Sequence, residues 1–321
     1  MIKLRRSTIV LLAIVLLLVI IIPVLAFTPV GTSVLTIWLS PTPTPKPILT
    51  VRGTPPAINA TAAYVLDADS GHALVDINGG QRLPMASTTK IMTAILTIDK
   101  ANLKQMVTIK QNAIDEVNKN QGSSAQLVVG DQIRLKDLLY ALMLPSGDDA
   151  AIAIAEAVSG TTADFVDLMN RYAQQLHLTQ THYINPDGLT YLTPEGKPNP
   201  AHYTTTADLV KLTRYALANP LFAQIVQLQH YVLHATTVHH AYVWDNTNIL
   251  LSTYAGLTGV KTGYTVEAGY CLVFAARSDD HYLIGAILQD KDENQRFLDA
   301  RALLDWAFAL PVLPPAPTPS S

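Results

Sequence analysis

The chain has 321 residues, 15% of them charged, with a formal net charge of −3. So small a balance leaves no basic footprint for nucleic acid, and no run of like charge forms an interaction tail. With the two ends set aside, roughly 250 residues remain, enough for one large domain or two lobes with a sizeable core.

Lys3, Arg5 and Arg6 precede an apolar run from Thr8 to Phe27, about 20 residues and long enough to span a bilayer as a helix. Only Lys46 and Arg52 follow in the linker, so the basic cluster keeps the N-terminus inside. The expected order is a cytoplasmic end at 1–6, a membrane anchor at 7–27 and a folded domain on the outer face. Val24-Leu25-Ala26 resembles a small-residue cleavage site, so a removable signal peptide and a secreted domain are the alternative. Residues 28–57 contain Pro41-Thr42-Pro43-Thr44-Pro45-Lys46-Pro47, a semi-rigid extended spacer. A Pro-rich tail at 311–321 leaves 58–310 as the folded domain.

Ala62-Ala63-Tyr64-Val65-Leu66 and His72-Ala73-Leu74-Val75-Asp76 read as two strands. The turn between them, Asp67-Ala68-Asp69-Ser70-Gly71, mimics the start of a calcium loop. Its glycine comes one position early, however, and Asn78 stands where a bidentate Glu belongs, so a hairpin is expected. From Thr88 to about Gln229 the pattern is mostly helical, with Leu138, Leu139, Leu142 and Met143 on one face and Phe165, Leu168, Met169 and Tyr172 on another. Strands return at Gly259–Thr265, Cys271–Arg277 and Tyr282–Leu288, and a helix from about Asn294 to Ala309 closes the domain. Strands at both ends of a helical insertion predict an α+β fold: one antiparallel sheet flanked by helices, with a helical lobe beside it. The lone Cys271 sits in an apolar strand and reads as a small buried hydrophobe.

Three stretches carry chemistry. In Pro84-Met85-Ala86-Ser87-Thr88-Thr89-Lys90, the three-residue spacing puts Lys90 on the same helix face as Ser87, so its amine can reach the hydroxyl. A serine hydroxyl needs such a base, and a lysine serves only where burial and nearby positive charge lower its pKa. In Leu144-Pro145-Ser146-Gly147-Asp148-Asp149, Ser146 is either a plain helix cap or a proton relay between Lys90 and a leaving group. In Lys261-Thr262-Gly263-Tyr264, a strand glycine lets a ligand lie close, and Lys261 and Thr262 can hold its carboxylate.

Together, Ser87-x-x-Lys90, Ser146-x-Asp148 and Lys261-Thr262-Gly263 resemble the three active-site boxes of the penicillin-binding protein and serine β-lactamase superfamily. Ile184-Asn185-Pro186-Asp187-Gly188-Leu189, Thr204-Thr205-Thr206-Ala207-Asp208-Leu209 and Asn246-Thr247-Asn248-Ile249-Leu250-Leu251 narrow the similarity to D-alanyl-D-alanine carboxypeptidases. It runs from about Thr61 to Phe308. The resemblance implies a β-lactamase/transpeptidase-like fold with a five-stranded antiparallel sheet. It also implies an acyl-enzyme on Ser87, Lys90 as general base and Ser146 as proton relay. Lys261, Thr262, Gly263, Asp148 and Arg296 would meet substrate, and the backbone N–H groups of Ser87 and Tyr264 would form the oxyanion hole. The implied partners are peptidoglycan stem peptides and, as covalent inhibitors, β-lactams; no metal or cofactor is called for.

Two departures stand out. The middle box of the family usually ends in asparagine, whose amide donates; an ionised Asp148 only accepts. Several relatives also carry a β-rich C-terminal domain with a membrane helix, where this sequence has a Pro-rich tail, so anchoring is expected at the N-terminus. Glu195-Gly196-Lys197-Pro198-Asn199 matches the deacylating loop of class A β-lactamases but lies in a Pro/Gly-rich setting. His234, His239 and His240 have no recognised metal-ligand spacing. The alternatives are a cross-bridge endopeptidase, a β-lactamase, or an inactive penicillin-binding sensor.

Overall fold

Cys271-Leu272-Val273-Phe274-Ala275-Ala276 is apolar at every position, and in a strand successive side chains point to opposite faces, so both faces need a cover. The computed structural model, which describes residues 47–278 and 281–313, supplies both. This run lies in the strand Gly269–Ser278 of a five-stranded antiparallel sheet, and all six residues are fully buried.

In chain order the strands are β1 (Ile48–Leu49), β2 (Ala62–Asp67), β3 (Ala73–Ile77), β4 (Met106–Thr108), β5 (Gln132–Arg134), β6 (His230–Leu233), β7 (Tyr242–Asp245), β8 (Leu257–Thr265), β9 (Gly269–Ser278), β10 (His281–Asp290) and β11 (Val312–Leu313). The helices are α1 (Lys90–Lys100), α2 (Gln111–Asn120), α3 (Leu135–Met143), α4 (Asp148–Ser159), α5 (Thr162–Gln175), α6 (Thr206–Leu217), α7 (Pro220–Val226), α8 (Leu250–Thr253) and α9 (Gln295–Phe308), with a 3-10 turn at Ala86–Thr89 before α1. The sheet order β3-β2-β10-β9-β8 leaves β8 as an edge.

Alternation along β9 sorts the core. Leu272, Phe274 and Ala276 join Leu283, Ile287, Phe297, Leu303 and Leu304, so α9 covers that face. Cys271, Val273 and Ala275 join the larger cluster of α1, α3, α4 and α6. Each fully buried Leu or Phe contributes about 1.5–3 kcal/mol. Burial pushes the Cys271 thiol up to about 11, which fits an inert core residue.

The α3 stripe Leu138, Leu139, Leu142 and Met143 is buried, as are Phe165, Met169 and Tyr172 of α5. Helix starts follow local chemistry: Thr161 caps α5 through Asp164 N, Thr205 caps α6 through Asp208 N, and Asn219 precedes Pro220 at the start of α7.

The expectation of a mostly helical middle fails in two places, and a hairpin follows just beyond it. Residues 177–204 are irregular because Pro186, Pro194, Pro198 and Pro200 remove donors, while Gly188 and Gly196 take positive φ. β4 and β5 form a two-stranded ribbon, and β6 and β7 form a hairpin. The hairpin is held by stacked aromatics: Tyr231 lies 3.9 Å from Tyr140 and 6.0 Å from Trp244 between ring centroids. Outside the sheet, Ile48 and Leu49, expected in the spacer, pair with Leu313 and Val312 of the expected tail. The Asp67 carboxylate organises the β2–β3 turn by accepting from Asp69 N and Ser70 Oγ. The expected anchor at 7–27 lies outside the described residues. Among the described residues, no helix is long and apolar enough to cross a membrane.

Candidate active site

Ser87 lies within the 3-10 turn and Lys90 opens α1, so the two are separated by the tight winding that brings i and i+3 together. Lys90 Nζ donates to Ser87 Oγ at 2.9 Å. The same amine donates to Asp148 Oδ1 at 2.5 Å and to the Asp187 carbonyl at 2.7 Å. Three acceptors match the three protons of an ammonium.

The backbone before the nucleophile is strained. Ala86 has φ +47, in the left-handed region that costs a non-glycine residue roughly 1–2 kcal/mol. Its carbonyl accepts from Thr89 Oγ1 and is met closely by Gly188, where a Cβ would stand 1.9 Å from that oxygen. Gly188 itself has φ +91. Asn185 staples this loop, accepting from Gly188 N and donating to the Leu189 carbonyl. His202 completes the floor: its Nδ1 accepts from Ile184 N and its Nε2 lies 2.8 Å from Thr89 Oγ1. Burial pushes its pKa down to about 3, so the ring is neutral, with the proton on Nε2 by the bonding pattern.

Ser146 is not a helix cap; Gly147 holds that position for α4. With φ +68, Ser146 is held in the left-handed region, and its buried Oγ has no hydrogen-bond partner. Lys261 is fully enclosed on β8 and donates to the Thr262 carbonyl at 3.1 Å. Burial and the neighbouring charges of Lys90 and Arg296 drive its pKa well below the usual lysine range, against the opposing pull of Asp148. Thr262 Oγ1 shares a 2.6 Å hydrogen bond with Thr247 Oγ1. At Gly263 a Cβ would lie 3.0 Å from Ser87 N, so the strand edge passes directly over the nucleophile's amide. The Tyr264 side chain faces solvent and stacks on Tyr270.

Two residues expected to meet substrate make contacts within the fold. Asp148 points at Lys90 and not at an open cleft; its second oxygen accepts from Ser123 N at 2.7 Å. Gly122 makes room for this, since a Cβ there would come 2.2 Å from Asp148 Oδ2. Burial raises the Asp148 pKa, and the Lys90 charge opposes the rise. Arg296 is only 5% exposed. It is buried under β8 and donates through Nη1 to the Gly263 carbonyl at 3.1 Å, so it braces the strand.

Several participants gave little sequence signal. Asp187 is fully buried; burial and the Asp148 charge push its pKa up to about 7, and one of its oxygens has no partner. Asp149, beside Asp148, accepts from Ser124 Oγ, Ala125 N and Leu127 N, pinning the loop that supplies Ser123. Of the decoys, Glu195 is exposed in a turn with Gly196 at φ +75, and His240 sits 2.9 Å from Asp131 Oδ1.

Residues 50–292 match the family model of D-alanyl-D-alanine carboxypeptidase, peptidase family S11. A D-alanyl-D-alanine carboxypeptidase from Streptomyces sp. strain K15 is 38% identical over 269 residues, covering 80% of this chain and 90% of that protein. DacF of Bacillus subtilis is 32% identical, over 79% of this chain and 63% of its own length, so the chain spans less than two thirds of that longer relative. Among solved structures, the Streptomyces K15 DD-transpeptidase superposes with a TM-score of 0.74 at 37% identity, covering 80% of this chain and all of that one. DacD from Francisella tularensis gives 0.70 at 26% identity, over 82% and 73% of the two chains.

Proposed function

Because this chain belongs to the D-alanyl-D-alanine carboxypeptidase family of serine peptidases, we propose that it removes the terminal D-alanine of peptidoglycan stem peptides through an acyl-enzyme on Ser87. The observation that carries this reading is the 2.9 Å contact between Lys90 Nζ and Ser87 Oγ beneath the Gly263 edge of β8.

Lys90 takes the Ser87 proton as Oγ attacks the carbonyl between the two D-alanines. The oxyanion that forms is met by the N–H groups of Ser87 and Tyr264. Ser146 passes the proton to the departing D-alanine nitrogen; its partnerless Oγ supports that role. Thr262 and Lys261 receive the terminal carboxylate, and Arg296 holds Gly263 in line through its carbonyl. Water then cleaves the ester and restores the Ser87 hydroxyl.

The proposal includes an extracytoplasmic site, tethered by residues 7–27 as a helix, with secretion after signal cleavage as the alternative. Lys3, Arg5 and Arg6 before the apolar run and the proline spacer after it support the tether. The intact mass of the membrane-extracted chain distinguishes the two. A second reading is cleavage of cross-bridges, since a relative from Pseudomonas aeruginosa, 29% identical over 248 residues, is named a D-alanyl-D-alanine endopeptidase. Monomeric and cross-linked muropeptides separate these activities.

The proposed acyl-enzyme is tested by incubation with a penicillin, followed by digestion and mass mapping. The adduct should fall on the peptide holding Ser87 and be absent from Ser87→Ala. An adduct elsewhere, or none, overturns the reading.

A further inference from the structure

His202 is buried and neutral, and no step described above uses it, yet both of its ring nitrogens are engaged. Ile184 N donates to Nδ1 at 3.1 Å, which leaves the ring proton on Nε2. Nε2 therefore donates to Thr89 Oγ1 at 2.8 Å. The fully buried Thr89 hydroxyl has a single proton, and it goes to the Ala86 carbonyl at 2.8 Å. Three hydrogen bonds thus point one way, from the loop at Ile184 to the residue before the nucleophile. Bonds in such a chain polarise one another.

The far end of this relay is half of a peptide unit. The unit is planar and trans, so a fixed Ala86 carbonyl also fixes the direction of the Ser87 N–H on its opposite side. That N–H is one of the two proposed to meet the oxyanion. Ala86 has φ +47, a conformation that persists only where its surroundings over-determine it. Gly188 closes on the same carbonyl, but its own N–H goes to Asn185.

We propose that His202 and Thr89 are positioning residues for the reaction: they hold the Ala86–Ser87 peptide so that the Ser87 N–H faces the oxyanion. The loop that closes over Lys90 through the Asp187 carbonyl thereby also aims the oxyanion donor. The inference rests on the carboxypeptidase reading and adds two residues to its machinery.

The test follows D-alanine release from a D-Ala-D-Ala-terminated peptide by the full chain and four variants. Thr89→Val keeps the side-chain shape without the hydroxyl, and kcat should fall by about tenfold to a hundredfold, less than for outright loss of an oxyanion donor. KM should hardly change, because the contact is made in the transition state. Thr89→Ser restores the hydroxyl and should stay within about twofold of wild type. His202→Asn places an oxygen where Nδ1 accepts from Ile184 N but cannot reach Thr89, so its kcat should fall as in Thr89→Val. His202→Gln reaches Thr89 with an amide N–H and should keep most of the wild-type kcat, although both His202 variants lower the thermal midpoint. Wild-type kcat in Thr89→Val overturns the inference, as does a kcat that follows the thermal midpoint in all four variants. A wild-type chain that frees no D-alanine overturns the carboxypeptidase reading and this inference with it.

Discussion

Lys90 Nζ lies 2.5 Å from Asp148 Oδ1, with both side chains shut off from solvent. Where the family usually has an amide, this protein places a carboxylate against the amine proposed as the base. Burial raises the Asp148 pKa, Lys90 lowers it, and Asp148 in turn supports the Lys261 charge and raises Asp187. The charges therefore titrate as one cluster.

Asp148→Asn removes one negative charge from that cluster while keeping an acceptor for Lys90. Its members then lose their protons at lower pH: Lys261 loses an attraction and Asp187 loses a repulsion. The rising limb of penicillin acylation rate against pH should move to lower pH by about one to three units. Stopped-flow acylation across the pH range measures this. A fall in rate at every pH would show instead that Asp148 itself takes the proton.

Ser146→Ala separates catalysis from stability. The hydroxyl has no partner in the fold, so its removal leaves no group unsatisfied, and the thermal midpoint should hardly change. Loss of a proton relay should cut D-alanine release by about a hundredfold to ten-thousandfold. A large loss of stability would mean that Ser146 has a structural partner.

Gly188→Ala meets two obstacles together. The residue has φ +91, and its Cβ would stand 1.9 Å from the Ala86 carbonyl. Backbone must move, and the strained residue before the nucleophile moves with it. A loss of about 3 kcal/mol or more is expected in denaturant titration, as for other severe backbone conflicts. Wild-type stability and acylation in this variant would refute the described loop.

Asp187 gives a pH signature. Its pKa is raised from 3.8 to about 7, so between those values the unfolded chain has released a proton that the folded chain keeps. Stability from this group is complete below pH 4 and declines as pH rises toward 7. Asp187→Asn cannot ionise, so relative to wild type its thermal midpoint should improve as pH rises from 4 to 8. A difference that is flat across that range would contradict the assignment.

Much of this was legible in the sequence because it is local. The Ser87–Lys90 contact follows from a three-residue spacing, and β8–β10 and α9 follow from short apolar runs between turn residues. What escaped depends on residues far apart in the chain. Nothing in Gly122 announces that Asp148, 26 positions later, needs the space a Cβ would fill. Arg296 reads only as a substrate contact until β8 is laid over it and its bond to the Gly263 carbonyl is seen. Tyr231 and Trp244 give little strand signal amid polar residues, and their hairpin forms because Tyr140 offers a ring to stack on. Asp187 sat inside a recognised stretch, yet its burial is a property of the closed loop alone.

The central claim is that Ser87, served by Lys90, cleaves a D-Ala-D-Ala bond. Free D-alanine should be followed while the full chain and its Ser87→Ala variant act on a D-Ala-D-Ala-terminated peptide. The account predicts steady release by the former and none by the latter. Release that persists without the Ser87 hydroxyl, or a wild-type chain that binds penicillin yet frees no D-alanine, would contradict it.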